Sequence, residues 1–341
     1  MVKPAKLKKG DTVALISPSL GGAGSPEQRW KFDLGCRRLE ELGLRTVPAP
    51  HALADARWLE AHPEARAEDL LWAFENKAVK AILANIGGND SHRLFPYLSP
   101  ETVRMNPKIL CGYSDVMSLH LFCHRLGLST FYGPNLLTTV AETGAWHPYS
   151  RRWFIKVFLE GGPIGRIPPS EDWSWDENDL TDPEYRKHYI PNPGYGLVQG
   201  SGTVRGRLFG GHGDLRTLSL PDGTPLASEE DFRDAVLFFE DIPELCDVEY
   251  MGEFFDWLGR MGYLALLRGA VIGRMRQKES FAPFAARIRE IVGGKYGRPE
   301  LPILCDLNFG HSSPICILPY GAEAEIDAEA RSFRILDSGV I

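Results

Sequence analysis

The chain has 341 residues, 43% of them apolar, enough to build a substantial core as two domains or one large one. A formal net charge of −7 excludes the clustered basic surface on which non-specific nucleic-acid or anionic-membrane binding rests, and leaves small-molecule or peptide chemistry. No run approaches the roughly 20 apolar residues of a membrane span, so the expectation is a soluble, cytoplasmic protein.

The opening segment, "MVKPAKLKKGDTVALISPS", is rich in lysine, but its apolar run is too short for a secretion signal and reads as a strand. "RWKFDLGCRRLEELG" follows with helical periodicity, then the β-rich "RTVPAP". The alternation continues through "AEDLLWAFENKAVKAILANIGG", where a helix gives way to a strand ending in Gly87-Gly88, and through "KILCGYSDVMSLHLF". Repeated βα units predict a parallel sheet covered by helices, with ligands bound beyond the carboxyl ends of its strands. By that rule Ser17, Gly87-Gly88 and Ser114 face one crevice. Residues 166–200 are rich in Pro, Asp, Glu and Tyr without a sustained period, and read as a linker or an ordered, aromatic substrate loop. From residue 201 the texture is richer in strands, with "AVLFFED", "GAVIGRM" and "PILCDLNFGHSSPICILPYG", and the close, "AEAEIDAEARSFRIL", reads as a hairpin. The expected division is 1–165, 166–200 and 201–341.

Six scattered cysteines without a Cys-x-x-Cys pair suit buried thiols. There is no His-Glu-x-x-His and no ligand-like clustering of His and Cys, so neither a metal nor a cofactor is expected. The Gly87-Gly88 turn lacks the spacing of a dinucleotide fingerprint, and serves either as a tight turn or to bring backbone N–H groups close to a ligand.

Ser114 sits between a strand and a helix. A serine there is commonly an N-cap, yet Gly112 permits a tight turn that would project Oγ over the sheet as a nucleophile. Val116 stands where the Gly-x-Ser-x-Gly elbow of α/β-hydrolases has its last glycine. A serine nucleophile needs a base and an orienting carboxylate. His120 and His124 share the helix that follows Ser114 and are poorly placed to reach it. His311, behind Gly310 at a strand end, and Glu240, ending "AVLFFE", are the candidates from elsewhere in the chain.

Taken together, "GDTVALISPS", "IGGNDSHRLFPYL", "NPKILCGYSDVMSLH", "STFYGPNL", "GRLFGGH", "LFFEDIPE" and "GHSSP" resemble, in order and over nearly the whole chain, the serine peptidase family of LD-carboxypeptidases and microcin-C immunity peptidases. The resemblance implies an α/β fold, with a flavodoxin-like parallel-sheet N-terminal domain and a smaller β-rich α+β C-terminal domain. It implies Ser114 as nucleophile, His311 as general base and Glu240 as orienting carboxylate, with an oxyanion hole from backbone N–H groups of the Gly87-Gly88 turn and of Asp115. Closer likeness to the microcin-immunity branch implies cleavage of an amide-type bond in a small peptide or an aminoacyl-nucleotide conjugate, with Trp173 or Trp175 stacking on the base; the family resemblance as a whole implies a homodimer. Departures fall at His212, where that branch has Asn, and at Glu244 and Arg276, whose charges are reversed; these two are expected to form a swapped ion pair. The second glutamate of "EDIPE" is similar to the LD-carboxypeptidases, whose substrate is a murein tetrapeptide. The rivals from other classes are a non-catalytic two-lobed binding protein and an ordinary α/β-hydrolase.

Overall fold

The computed structural model describes residues 1–240, 242, 246–276 and 280–341. Five strands near the start of the chain, β1 (Thr12–Ile16), β2 (Arg45–Pro48), β3 (Val79–Ala84), β4 (Ile109–Gly112) and β5 (Phe131–Tyr132), run parallel in the order β2-β1-β3-β4-β5. That is the flavodoxin-like order. Parallel strands are covered on both faces, which is why β3 reads as the near-continuous apolar run "VKAILA" and exposes only Lys80. Helices Arg29–Glu41, Pro63–Glu75 and Met117–Arg125 form its crossovers. Pro63 starts the second of these, at a position whose N–H has no intrahelical partner anyway.

Residues 166–200 make an ordered excursion. The strand β6 (Gly165–Ile167) leads into it, β7 (Asp172–Trp173) and β8 (Ile190–Pro191) pair with each other, and β9 (Gly196–Gln199) leads out. The second sheet is built around β10 (Thr203–Gly211), β11 (Ala235–Phe239), β12 (Gly269–Gly273) and β13 (Ile303–Leu307), all parallel. The strand β14 (Leu318–Pro319) crosses to the first sheet and pairs with β5, while β15 (Glu323–Asp327) and β16 (Ser332–Ile335) form the expected hairpin. The full order of the second sheet is β6-β16-β15-β10-β11-β12-β13-β9. Its largest helix, Val248–Arg260, buries Met251, Phe254, Phe255 and Leu258, one face at helical spacing, and is capped by Asp247, whose side chain accepts the Tyr250 N–H at 2.8 Å.

No helix among the described residues is long and apolar enough to cross a membrane. Cys111, Cys123, Cys305 and Cys316 are buried thiols, their pKa values pushed up by burial.

Candidate active site

Three strand ends converge where the two sheets meet. After β4 the chain passes Tyr113 into Ser114, which holds φ at +64°, a left-handed conformation that costs a non-glycine residue about 1 kcal/mol or more. Neighbours hold it there. Gly112 must be a glycine because a Cβ would lie 2.8 Å from Asn135 Oδ1 and 2.9 Å from Val116 Cγ1, so the valine that departs from the hydrolase elbow fills the space that Gly112 leaves. The buried His120 hydrogen-bonds through Nε2 to the Gly112 carbonyl at 2.9 Å, and burial lowers its pKa to about 4. His124 instead pairs with Asp231 at 3.1 Å, so neither helix histidine contacts Ser114.

The cap reading of Ser114 is corrected by this geometry. Its side chain makes no capping bond at the following helix; Oγ lies 3.1 Å from His311 Nε2. His311 Nδ1 lies 2.7 Å from Glu240 Oε2. A buried carboxylate only accepts, so Nδ1 carries the proton and Nε2 is left to accept from the Ser114 hydroxyl. Glu240 is 1% exposed, at the end of β11, and its second oxygen accepts a hydrogen bond from the Tyr132 hydroxyl. The Tyr113 ring packs edge-on against the His311 ring at 5.2 Å.

Gly310, at φ +93°, lets the His311 loop pass over the carboxylate: a Cβ there would meet Glu240 Oε2 at 2.3 Å. Gly310→Ala is therefore expected to push Glu240 off His311 and to lower the rate of any reaction at Ser114 by about 100-fold, the scale of a misplacement of about 1 Å. Kinetics of the purified variant with a serine-reactive phosphonate would check it.

On the other side of Ser114 lies the Gly87-Gly88 turn. A Cβ on Gly87 would be 2.8 Å from Ser114 Cβ, and one on Gly88 (φ +151°) would be 2.1 Å from Ser19 Oγ, so both glycines are needed for close approach. Asp90 anchors this turn. Burial raises its pKa, but the Arg66 guanidinium, bonded at 2.8 and 3.0 Å, outweighs that and the net shift is downward. The turn is also tied to the nucleophile's own loop, since the Ser91 N–H donates to Asp115 Oδ2 at 2.8 Å and Ser91 Oγ to the Asp115 carbonyl at 2.7 Å. The backbone N–H groups of Gly88 and Asp115 donate to no acceptor among the described residues. Ser17 does not share the crevice as expected. It is 2% exposed, and its hydroxyl is occupied by the Ala52 carbonyl and the Asn85 side chain, both at 2.9 Å.

His212 follows β10, immediately beside Glu240 in strand register, because Gly211 pairs with Phe239. It is 3% exposed, and burial lowers its pKa against the raising influence of Asp214 and Glu240, so it is a neutral imidazole. Its Nδ1 accepts the Asp214 N–H at 3.4 Å, while Nε2 is buried with no hydrogen-bond partner among the described residues. Arg276 Nη2 bonds Glu177 of the excursion at 3.2 Å. Glu244, its expected partner, lies outside the described residues.

The two tryptophans differ. Trp173 is 8% exposed, with the Arg274 guanidinium 4.5 Å from its ring centroid, so one face is already covered; Trp175, edge-on to it at 5.3 Å, remains partly exposed. The excursion that carries them is stitched to the His311 loop by paired backbone bonds between Ser174 and Ser313 at 2.8 and 3.0 Å. Asn308 adds a bond to Ser170 Oγ at 2.8 Å. Sequence reasoning missed Tyr132. Its only signal was its place in "STFYGPNL", a string quoted for likeness and given no role.

The family model for the LD-carboxypeptidase N-terminal domain matches residues 13–133, and that for the LD-carboxypeptidase C-terminal domain matches residues 205–326. YocD of Bacillus subtilis is 32% identical over 333 residues, 97% of this chain and 98% of its own. The microcin C7 self-immunity protein MccF of Escherichia coli is 27% identical over 346 residues, 98% of this chain and 95% of its own. The crystal structure of an MccF-like protein from Streptococcus pneumoniae, in complex with AMP, aligns with a TM-score of 0.86 at 29% identity, covering 96% of this chain and 99% of the other.

Proposed function

The chain belongs to the LD-carboxypeptidase family, and from that premise we propose that it is a serine hydrolase cleaving an amide-type bond between an aminoacyl or peptidyl group and a nucleotide-like moiety. One observation carries the reading: the unbroken chain of contacts from Ser114 Oγ through His311 to Glu240 at 3.1 and 2.7 Å. In this reading His311 Nε2 takes the Ser114 proton as Oγ attacks the carbonyl carbon, and Glu240 stabilises the imidazolium that forms. The oxyanion develops toward the Gly88 and Asp115 N–H groups, which have no acceptor of their own among the described residues. His311 then returns the proton to the leaving nitrogen, and water, deprotonated by the same imidazole, releases the acyl group.

His212, with its unpaired Nε2–H, Gly87 and Arg276 are assigned to the substrate side of the crevice. For the nucleotide end we take Trp175, which is half-buried, rather than Trp173, which is 8% exposed. The AMP bound to the pneumococcal relative favours the nucleotide class. A murein tetrapeptide is the second reading, supported by the LD-carboxypeptidase family models themselves. A cytoplasmic location, which the buried thiols suit, and a homodimer accompany the proposal; light scattering would check the latter.

Parallel assays on an aminoacyl-sulfamoyl adenosine and on a murein tetrapeptide test the choice. Turnover of the first alone supports the main reading, and turnover of the second alone replaces it. Trp175→Ala separates them further: stacking is worth about 1–3 kcal/mol, so KM for the nucleoside conjugate should rise roughly 5- to 150-fold while tetrapeptide kinetics stay unchanged. A non-catalytic binding protein would turn over neither substrate and would leave Ser114 unlabelled by a phosphonate.

A further inference from the structure

We infer that Tyr132 is a positioning residue of this site, its one hydroxyl clamping the nucleophile's turn to the orienting carboxylate; the inference rests on Ser114 being the nucleophile. The Tyr132 oxygen accepts the Ser114 N–H at 3.0 Å, and its proton is donated to Glu240 Oε1. The polarity of this relay is fixed, because an amide N–H only donates and a carboxylate only accepts. It also persists across the working pH range: burial first, then the Glu240 charge, holds the phenol pKa well above its ordinary value, so the proton stays on the oxygen.

Each end of the clamp does something the site needs. At Ser114 the bond restrains a residue held in the left-handed region, the conformation that keeps Oγ facing His311. The same bond occupies the Ser114 N–H, which leaves the oxyanion to Gly88 and Asp115. At Glu240 the hydroxyl fills the one carboxylate oxygen that His311 does not reach. A carboxylate 1% exposed is costly to keep ionised unless its oxygens are hydrogen-bonded, and an ionised Glu240 is what stabilises the imidazolium. The geometry also crosses the molecule: Tyr132 lies on β5 of the first sheet and Glu240 ends β11 of the second. Beside the His311 bridge, one side chain that belongs to neither of their strands thus bonds both the nucleophile's backbone and the carboxylate.

Tyr132→Phe keeps the buried ring and its contact with the Phe238 ring at 5.5 Å, and removes only the oxygen. The test is inactivation by a fluorophosphonate, with the label located by mass spectrometry, for wild type, Tyr132→Phe, Glu240→Gln and the double variant. A hydrogen bond to a charged group corresponds to about 10- to 100-fold in rate, so Tyr132→Phe should label that much more slowly. The loss should fall on the maximal inactivation rate, with the half-saturating concentration unchanged. In the Glu240→Gln background the same substitution should cost less, because only the bond to the Ser114 N–H is left to lose and the freed amide can turn its oxygen toward His311. Wild-type labelling of Tyr132→Phe, or equal losses in the two backgrounds, overturns the inference alone. An unlabelled wild-type protein overturns the nucleophile reading and this inference with it.

Discussion

Ser114→Ala is expected to lower turnover of whichever substrate proves native by about 10⁴-fold or more, with the melting temperature unchanged. The magnitude follows from what remains. Without Oγ, His311 has nothing to deprotonate except water, and only substrate positioning and the oxyanion donors still act. Stability is spared because Oγ makes no capping bond to the following helix and its one hydrogen-bond partner among the described residues is the reactive one. Ser114→Gly sharpens the test. It is equally inactive, but it also releases the φ of +64°, which alanine retains. The relief offsets the extra freedom glycine has in the unfolded chain, so the glycine variant should melt no lower than the alanine variant. Calorimetry beside single-turnover assays reads both outcomes; appreciable activity in either variant would sink the serine mechanism.

Glu240→Gln should cost about 10³- to 10⁴-fold, more than its near-identical shape suggests. The Tyr132 hydroxyl donates to the side chain and so selects the amide oxygen for its own side, which turns the amide NH2 toward His311. Nδ1 must then accept rather than donate. The imidazole proton moves to Nε2, which can no longer take the proton of Ser114. The variant should fold and bind substrate with KM little changed while kcat collapses. A rise in KM with kcat little changed would point to a lost binding contact instead. The proton positions themselves are checked by nitrogen NMR of the His311 ring in both proteins.

Much of this site was legible one residue at a time. Ser114, Glu240 and His311 each end an apolar run, and strand ends open onto crevices; the periodicity that defines the runs therefore also marks the residues. Their convergence was not legible. It depends on β14 crossing back to pair with β5, and on β11 and β13 lying with only β12 between them, facts of long-range pairing that no local pattern encodes. Ser17 shows the same limit from the other side. It ends a strand as Ser114 does, but a carbonyl thirty-five positions away takes its hydroxyl. The cap reading of Ser114 failed on where its Oγ bonds, which its backbone angle sets, and a serine with φ of +64° is spelled no differently from one at −60°. Trp173 and Trp175 are likewise equal as letters. What separates them is packing: Trp173 lies buried under the Arg274 guanidinium and Trp175 is half-buried.

The crossing of β14 has a bearing on when the protein can act. The edge of the first sheet beside Tyr132 is closed only by Leu318 and Pro319, and His311 lies a few residues before them. During synthesis the half that carries Ser114 is complete long before either is made. On the proposed mechanism a chain that stops short of residue 311 lacks its base, so Ser114 in such a chain should stay unlabelled by a phosphonate.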